Sequence, residues 1–336
     1  MPSNGRSIKF YKYYKQWVET YKVGQVRGVT LNKYYLVARQ IKKLAPDLSL
    51  SKITRTDIQR LINRYGETHE LPTVRDFLHH IEAPLKDAVY EGWIKKDPTY
   101  KIRATSQVEH RITRAKWLEP DQIKKLEHVL SESDRVAATM FDFDLRTGLR
   151  FAELLAITPK DVDQQHMTIY VNKSWDYKNV NMHFQPTKNK YSNRVIKLDF
   201  RAMQEIMKYI QGCEPEEPIF VKALTDERKA LRHDIAYPQR THKDLKQKYA
   251  RIYNSTLNQL LTGYCKEAGV PRISIHSLRH THASMLISAG VSIQSVAKRL
   301  GHGNTETTQR TYIHLLDDLA AKDDNKMLTV LSTLGG

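Results

Sequence analysis

A mainly α-helical fold with a small antiparallel β-sheet (α+β), arranged as two domains, is what this sequence predicts. Apolar residues recur at helical spacing through residues 8–93 and again through much of the second half. Three short runs between Val162 and Leu198 have strand character instead. The chain of 336 residues is long for one core, and a basic stretch without sustained periodicity interrupts it near residue 103.

Taken in order, Ile8 to Tyr21 reads as a first helix rich in tyrosine and lysine, and Leu31 to Leu44 as a second, ended by Pro46. Thr54 or Thr56 is placed to cap a third helix over Asp57 to Tyr65, which carries Ile58, Leu61 and Ile62 on one side. Thr73 opens a long segment in which Phe77, Ile81, Leu85, Val89 and Trp93 recur every four residues; Pro84 is expected to kink it and Asp97-Pro98 to stop it. The first domain is therefore drawn over 1–102, and the polar, basic residues 103–116 are read as the interdomain linker. A second domain, 117–314, opens with helices over 120–131 and 133–145. Strands follow over Val162 to Val171, Met182 to Pro186 and Arg194 to Leu198, then a helix over Phe200 to Ile210. Residues 222–254 are longer than a simple connection needs and rich in basic residues and tyrosine. The terminal stretch 315–336 reads as a polar linker leading to an apolar docking element, Met327 to Leu331.

Charge narrows the partner. Lys and Arg number 54 against 37 Asp and Glu, a net +17 spread along the chain, which favours a polyanion, most simply DNA. Cys213 and Cys265 are too few for a disulfide framework and lack the spacing of a zinc or redox motif, so a reducing compartment is expected. No run approaches the roughly 18 apolar residues of a membrane span.

The chemistry gathers in three places. His276 and Arg279 are three apart and project from one helix face, offering a hydrogen bond beside a fixed positive charge. The planar fork of arginine suits two oxygens of one phosphate, and hence the charge that builds on a pentacovalent phosphorane. Thr147-Gly148-Leu149-Arg150 puts a second arginine at a glycine-marked turn, and Leu300-Gly301-His302 precedes Tyr312 by ten residues. These segments, TGLRFAELLAI (147–157), HSLRHTHAS (276–284) and RLGHGNTETTQRTYIH (299–314), resemble the signature boxes of the tyrosine recombinases, the integrases of phages and conjugative transposons. They occur in the family's order and at family-like distances, and AVYEGWIKKDP (88–98) is similar to the end of the family's core-binding domain.

The resemblance implies a helical core-binding domain and a catalytic domain closing as a clamp around DNA. It implies a site-specific recombinase that cuts through a 3′-phosphotyrosine intermediate and exchanges strands through a Holliday junction to integrate or excise a mobile element. Tyr312 is the expected nucleophile, His276 its base or proton relay, and His302 a hydrogen-bond donor to a non-bridging oxygen. Arg150 and Arg279 grip the phosphate. Lys188 resembles the hairpin lysine that protonates the leaving 5′ oxygen, although Lys190 stands two positions away. Glu153 is read as structural support, and His280, His282 and His314 as packing or surface residues. No cofactor is expected, and no metal, since the basic residues supply what magnesium provides elsewhere.

Lys12, Lys33, Arg103, Arg111, Arg114, Lys243 and Lys246 are candidate DNA contacts. The implied partners are double-stranded recombination sites, a homo-tetramer on two paired sites and an accessory DNA-bending or excision factor, in the bacterial cytoplasm and associated with the nucleoid. Integrases of this kind usually carry an arm-binding domain ahead of these helices; the helical pattern here starts at Ile8, which reads as a truncated chain or a simpler recombinase. Two rival classes remain. A DNA-binding regulator without chemistry would satisfy the charge alone. A metal-dependent nuclease would use His276, His280 and His302, but lacks the glutamate of HExxH and leaves the arginines unexplained.

Overall fold

A computed structural model describes residues 8–109, 115–178, 182–187, 189–234, 248–306, 308–312 and 331–332. The chain divides into two compact units, Met1–Ile112 and Thr113–Gly336.

The first unit is four helices, α1 (Phe10–Tyr21), α2 (Gly28–Leu44), α3 (Arg55–Gly66) and α4 (Leu71–Tyr90), around a core that includes Phe10, Tyr14, Ile41, Ile58, Ile62, Phe77 and Ile81. Thr54, not Thr56, caps α3: its hydroxyl accepts from the Asp57 amide at 3.2 Å while the Asp57 carboxylate accepts from the Thr54 amide at 3.0 Å. The helix α4 starts two residues ahead of Thr73 and continues through Pro84, whose carbonyl accepts from the Tyr13 hydroxyl. It stops well before Asp97-Pro98. Gly92 takes up φ +77° and the Trp93 amide returns to the Ala88 carbonyl at 2.9 Å, a left-handed cap that turns Trp93 out of the periodic series and onto the Tyr13 ring. Trp17 Nε1 donates to Asp87 at 2.7 Å and ties α1 to α4.

The expected linker is taken up from both ends. Residues 103–107 run along α3: Gln59 exchanges hydrogen bonds with the Arg103 backbone, Thr105 donates to Asn63, and the Gln107 amide donates to the Gly66 carbonyl. On the other side, the Ala115 amide donates to the Arg272 carbonyl and the Leu118 amide to Thr281, within the second unit.

The second unit holds α5 (Pro120–Ser131), α6 (Val136–Thr147), the one-turn α7 (Phe151–Leu154), five short strands, α8 (Phe200–Ile210), α9 (Ile219–Asp234), α10 (Asn254–Glu267), α11 (Ile275–Ser288) and α12 (Ile293–Leu300); residues 308–312 are also helical. The helix α6 is buried nearly all round, from Ala137 and Met140 to Phe141 and Phe143, and packs against α5, α8, α9, α10 and α11. The anticipated single sheet is two. Strands β1 (Val162–Asp163), β2 (Thr168–Val171) and β5 (Arg194–Lys197) form one antiparallel sheet in the order β1-β2-β5. β3 (Lys173–Trp175) pairs with β4 (Phe184–Pro186) in the other. Register places Ile169 opposite Ile196, both inward, and Tyr170 opposite Val195, both outward. Arg194 falls in phase with Ile196 and is therefore carried inward. Among the described residues no helix is long and apolar enough to cross a membrane.

Gly66 is where the segment 103–107 presses closest. A Cβ added there would lie 2.1 Å from the Thr105 carbonyl oxygen, a backbone atom that cannot swing aside. Gly66→Ala should therefore lower stability by about 1–3 kcal/mol, read as a shift of the urea midpoint; an unchanged midpoint would mean that this packing is not maintained in solution.

Candidate active site

The site is assembled at the end of α12. Ser292 caps the start of this helix, and Gly301 ends it at φ +71°, pressed against the Tyr191 carbonyl and Ser192 Cα. The last carbonyls of a helix have no partner within it and carry the negative end of its dipole. Here three consecutive ones each accept from a different arginine. The Arg299 carbonyl takes Arg194 Nε at 2.6 Å, the Leu300 carbonyl takes Arg279 Nη2 at 2.7 Å, and the Gly301 carbonyl takes Arg150 Nη2 at 3.2 Å.

Each arginine is fixed from behind as well. Gly148 ends α6 at φ +63°, with no room for a Cβ against His282, and its carbonyl accepts from Arg279 Nη1 at 2.7 Å. Arg150 stands at the start of α7 and pairs with Glu153 at 2.7 Å; Arg194 pairs with the other oxygen of the same carboxylate at 2.9 Å. Burial by itself would raise the Glu153 pKa, but Arg194 and Arg150 outweigh it and hold the carboxyl below its usual range. Arg279, 3% exposed, is pushed down to about 9 by burial and then by Arg150, and remains protonated at neutral pH.

Histidines complete the wall. Arg279 Nη2 lies 3.0 Å from His302 Nε2; a guanidinium only donates, so Nε2 accepts and Nδ1 carries the proton it gives to Thr308 Oγ1 at 2.7 Å. Burial first, then Arg279 and Arg150, lower His302 to about 4. Tyr312 is 1% exposed, beside the Trp117 ring, and its hydroxyl meets His280 Nδ1 at 2.9 Å. Burial raises its pKa against the pull of Arg279. His276, which the sequence reading made the partner of Tyr312, lies on the exposed side and meets the His280 ring edge to face at 4.8 Å. His276 and His280 share one face of α11, and the one a turn further along is the one the 308–312 helix reaches, so His280 and not His276 stands at the hydroxyl. His280 is lowered to about 4 by burial, then by His276 and Arg279, so it stands neutral and able to accept a proton.

Lys188 lies outside the described residues. The residues from Asn189 to Ser192 are tied to the site, because Ser192 Oγ accepts from Arg150 and donates to Asn189, while Lys190 is exposed. Arg111, Arg114, Lys243, Lys246 and His314 are also outside the described residues. Lys12 and Arg103 are exposed on the first unit, and Lys33 is paired with Asp76 at 2.6 Å. Among the described residues no group of three or more His, Cys, Asp or Glu is placed to hold a metal ion. Sequence reasoning missed His280, Arg194, Ser192 and Thr308. Only Arg194 carried a signal: Ile196 and Leu198 fix the inward phase of β5, and Arg194 shares it.

Residues 116–318 match the phage integrase family, and residues 9–65 match the phage integrase N-terminal SAM-like domain. The chain is 23% identical over 343 residues to the integrase of Staphylococcus phage L54a, spanning 96% of this chain and 93% of that one. To the ICEBs1 integrase of Bacillus subtilis strain 168 it is 22% identical over 313 residues, spanning 92% and 80%. Among solved structures its fold is similar to that of the Tn1549 transposon integrase in complex with a circular intermediate DNA, at TM-score 0.72 and 17% identity over 90% of this chain and 95% of that one. It is also similar to a lambda integrase tetramer bound to a Holliday junction, at TM-score 0.61 and 16% identity over 89% and 79%. Fold and site together define a tyrosine recombinase. The chain belongs to the phage integrase family.

The buried neutral histidines make stability depend on pH. His282, 1% exposed, donates from Nδ1 to the Leu145 carbonyl and accepts from Arg299 at Nε2; burial, then Arg299, lower it to about 3. Above pH of about 6.5 the imidazole is neutral folded or unfolded, and nothing is lost. Below that, the unfolded chain binds a proton the native site refuses, costing about 1.4 kcal/mol per pH unit for a fully buried histidine. His280 and His302 add to this down to about pH 4, whereas Glu205, raised to about 8 by burial and Asp142, and Asp144, raised well above its usual range by burial, work the other way against the three rings. The urea midpoint should fall from pH 6.5 to pH 4.5; a flat or rising midpoint would contradict neutral burial of these rings.

Proposed function

We propose that this chain cuts and rejoins double-stranded DNA at specific sites, with Tyr312 as nucleophile, to integrate or excise a mobile element. The Tyr312 oxygen attacks the scissile phosphorus and its proton passes to His280, with His276 as the next station toward solvent. The bond from phosphorus to the 5′ oxygen breaks, and Lys188 gives that oxygen its proton. Arg150 and Arg279 take the charge that grows on the non-bridging oxygens, and His302 joins them once the incoming phosphate draws a proton onto Nε2. The product is a 3′-phosphotyrosyl link and a free 5′ hydroxyl. A 5′ hydroxyl from another strand reverses the step without ATP, because the link conserves the phosphodiester energy. Two rounds of exchange pass through a Holliday junction, on a homo-tetramer that pairs two sites. An accessory DNA-bending or excision factor sets direction, and the reaction takes place in the bacterial cytoplasm at the nucleoid.

The observation that carries this reading is the convergence of Arg150, Arg279, His302 and the Tyr312–His280 pair on one end of α12, from four separate parts of the chain. Glu153 and Arg194 act as supports that hold Arg150. Lys12, Arg103, Arg111, Arg114 and the basic segment 222–254, with Lys243 and Lys246, are proposed to contact phosphates, and Lys33 to join them on leaving Asp76.

The test is a nicked recombination site that traps the covalent product. An adduct resistant to denaturant and insensitive to EDTA is expected, and Tyr312→Phe should abolish it while still binding DNA. Cleavage that needs a divalent ion and leaves no adduct would assign a metal nuclease; binding without cleavage would assign a regulator. In the same assay His280→Asn is expected to slow adduct formation about a hundredfold at neutral pH with an unchanged melting temperature. A loss of that size in a His276 variant alone would return the base to His276.

A further inference from the structure

Arg299 lies one position before the Leu-Gly-His segment, outside the residues that meet the phosphate in the proposed reaction. Its guanidinium makes three hydrogen bonds to three different elements. Nε donates to His282 Nε2 on α11 at 2.9 Å, Nη1 to the Lys197 carbonyl of β5 at 3.1 Å, and Nη2 to the Arg146 carbonyl of α6 at 2.9 Å. All three acceptors are neutral, and among the described residues no carboxylate lies within ion-pair distance of it. What Arg299 supplies is therefore geometry. Its own carbonyl is the first of the three that hold the arginines. The bond to His282 also has only one polarity: a guanidinium cannot accept, and the Leu145 carbonyl behind His282 cannot donate, so the imidazole is locked as the Nδ1–H tautomer.

We propose that Arg299 is a positioning residue for the recombination site: it staples the end of α12 to α6, α11 and β5 and so sets where the 299–301 carbonyls hold Arg194, Arg279 and Arg150. Among the described residues, no other side chain of that turn bonds to all three. The ends it joins are the ones whose position matters, since Arg146 and Leu145 lie just before the Gly148 turn, and Lys197 follows Arg194 on β5. A shift of the turn would move all three guanidinium groups together. This inference rests on the recombinase reading and concerns the placement of its charge, not its chemistry.

The experiment measures single-turnover adduct formation on the nicked site at saturating DNA, with DNA affinity measured separately, for the wild-type chain, Arg299→Met and Arg299→Lys. Arg299→Met should lose rate by about a hundredfold, as a displacement near 1 Å would produce, with affinity unchanged. Arg299→Lys, which can still reach one or two of the carbonyls, should recover part of the rate. The ¹⁵N resonance of His282 Nε2 should move in both variants as its donor is lost or replaced. A wild-type rate in Arg299→Met overturns the proposal, and so does a loss that falls equally on affinity and rate. If Arg299→Met fails to fold, Arg299→Lys decides: an intermediate rate supports the staple and a wild-type rate overturns it. A wild-type chain that forms no adduct at all sinks the recombinase reading itself, which is a separate outcome.

Discussion

Three guanidinium groups on three consecutive carbonyls form the constraint on which the rest of this site depends. Arginines repel one another, and removing each from water carries a desolvation cost of several kcal/mol unless partners compensate it. The end of α12 offers partners in the one form that draws cations together without neutralising them: aligned backbone dipoles with unused acceptors. Gly301 makes this possible, because only a residue at ease with φ +71° lets the chain leave the helix there while the carbonyls of 299, 300 and 301 fan toward separate donors. Gly148 does the same for the carbonyl that holds Arg279 from the other side.

The charge balance follows. Arg150, Arg194 and Arg279 face one ionised carboxylate, Glu153, shared between two of them. Asp144, also nearby, is buried, and that burial raises its pKa well above the carboxylate range against the pull of Arg279. Three guanidinium groups against the one carboxylate that pairs with them leave positive charge in excess, held in place by dipoles. A phosphodiester brings one negative charge, and a pentacovalent phosphorane brings two. The site is thus closer to balance with the transition state than with the ground state, which is the condition for catalysis by differential binding.

How far this could be read from the sequence depended on whether the information was local. The helix Phe200–Ile210 and the core face of α3 follow from periodicity, and the signature segments place Arg150, Arg279, His302 and Tyr312 without any structure. The choice between Thr54 and Thr56 rested on which hydroxyl reaches the Asp57 amide, a geometric fact. Trp93 was misassigned because its spacing continues the series beyond Gly92, where the backbone has already turned. Lys173–Trp175 is too short and polar to announce a strand, and exists because Phe184–Pro186 pairs with it. His276 and His280 are equivalent to any pattern that counts residues. What distinguishes them is the docking of 308–312 on α11, a long-range contact with no sequence period.

The same docking explains why Tyr312 and its surroundings are set for neutrality. Tyr312 is buried and its hydroxyl is held by an uncharged imidazole, while burial first, and then the neighbouring positive charge, holds His276, His280 and His302 below their ordinary pKa. Each of those shifts has the guanidinium groups among its causes, and that part of each shrinks when an anion neutralises them. A phosphate entering the cradle would therefore do two things at once. It would satisfy the arginines, and it would raise the proton affinity of the histidine beside the phenol. His280 would become a better proton acceptor only once an anion occupies the cradle, so the free and the loaded site differ in electrostatics.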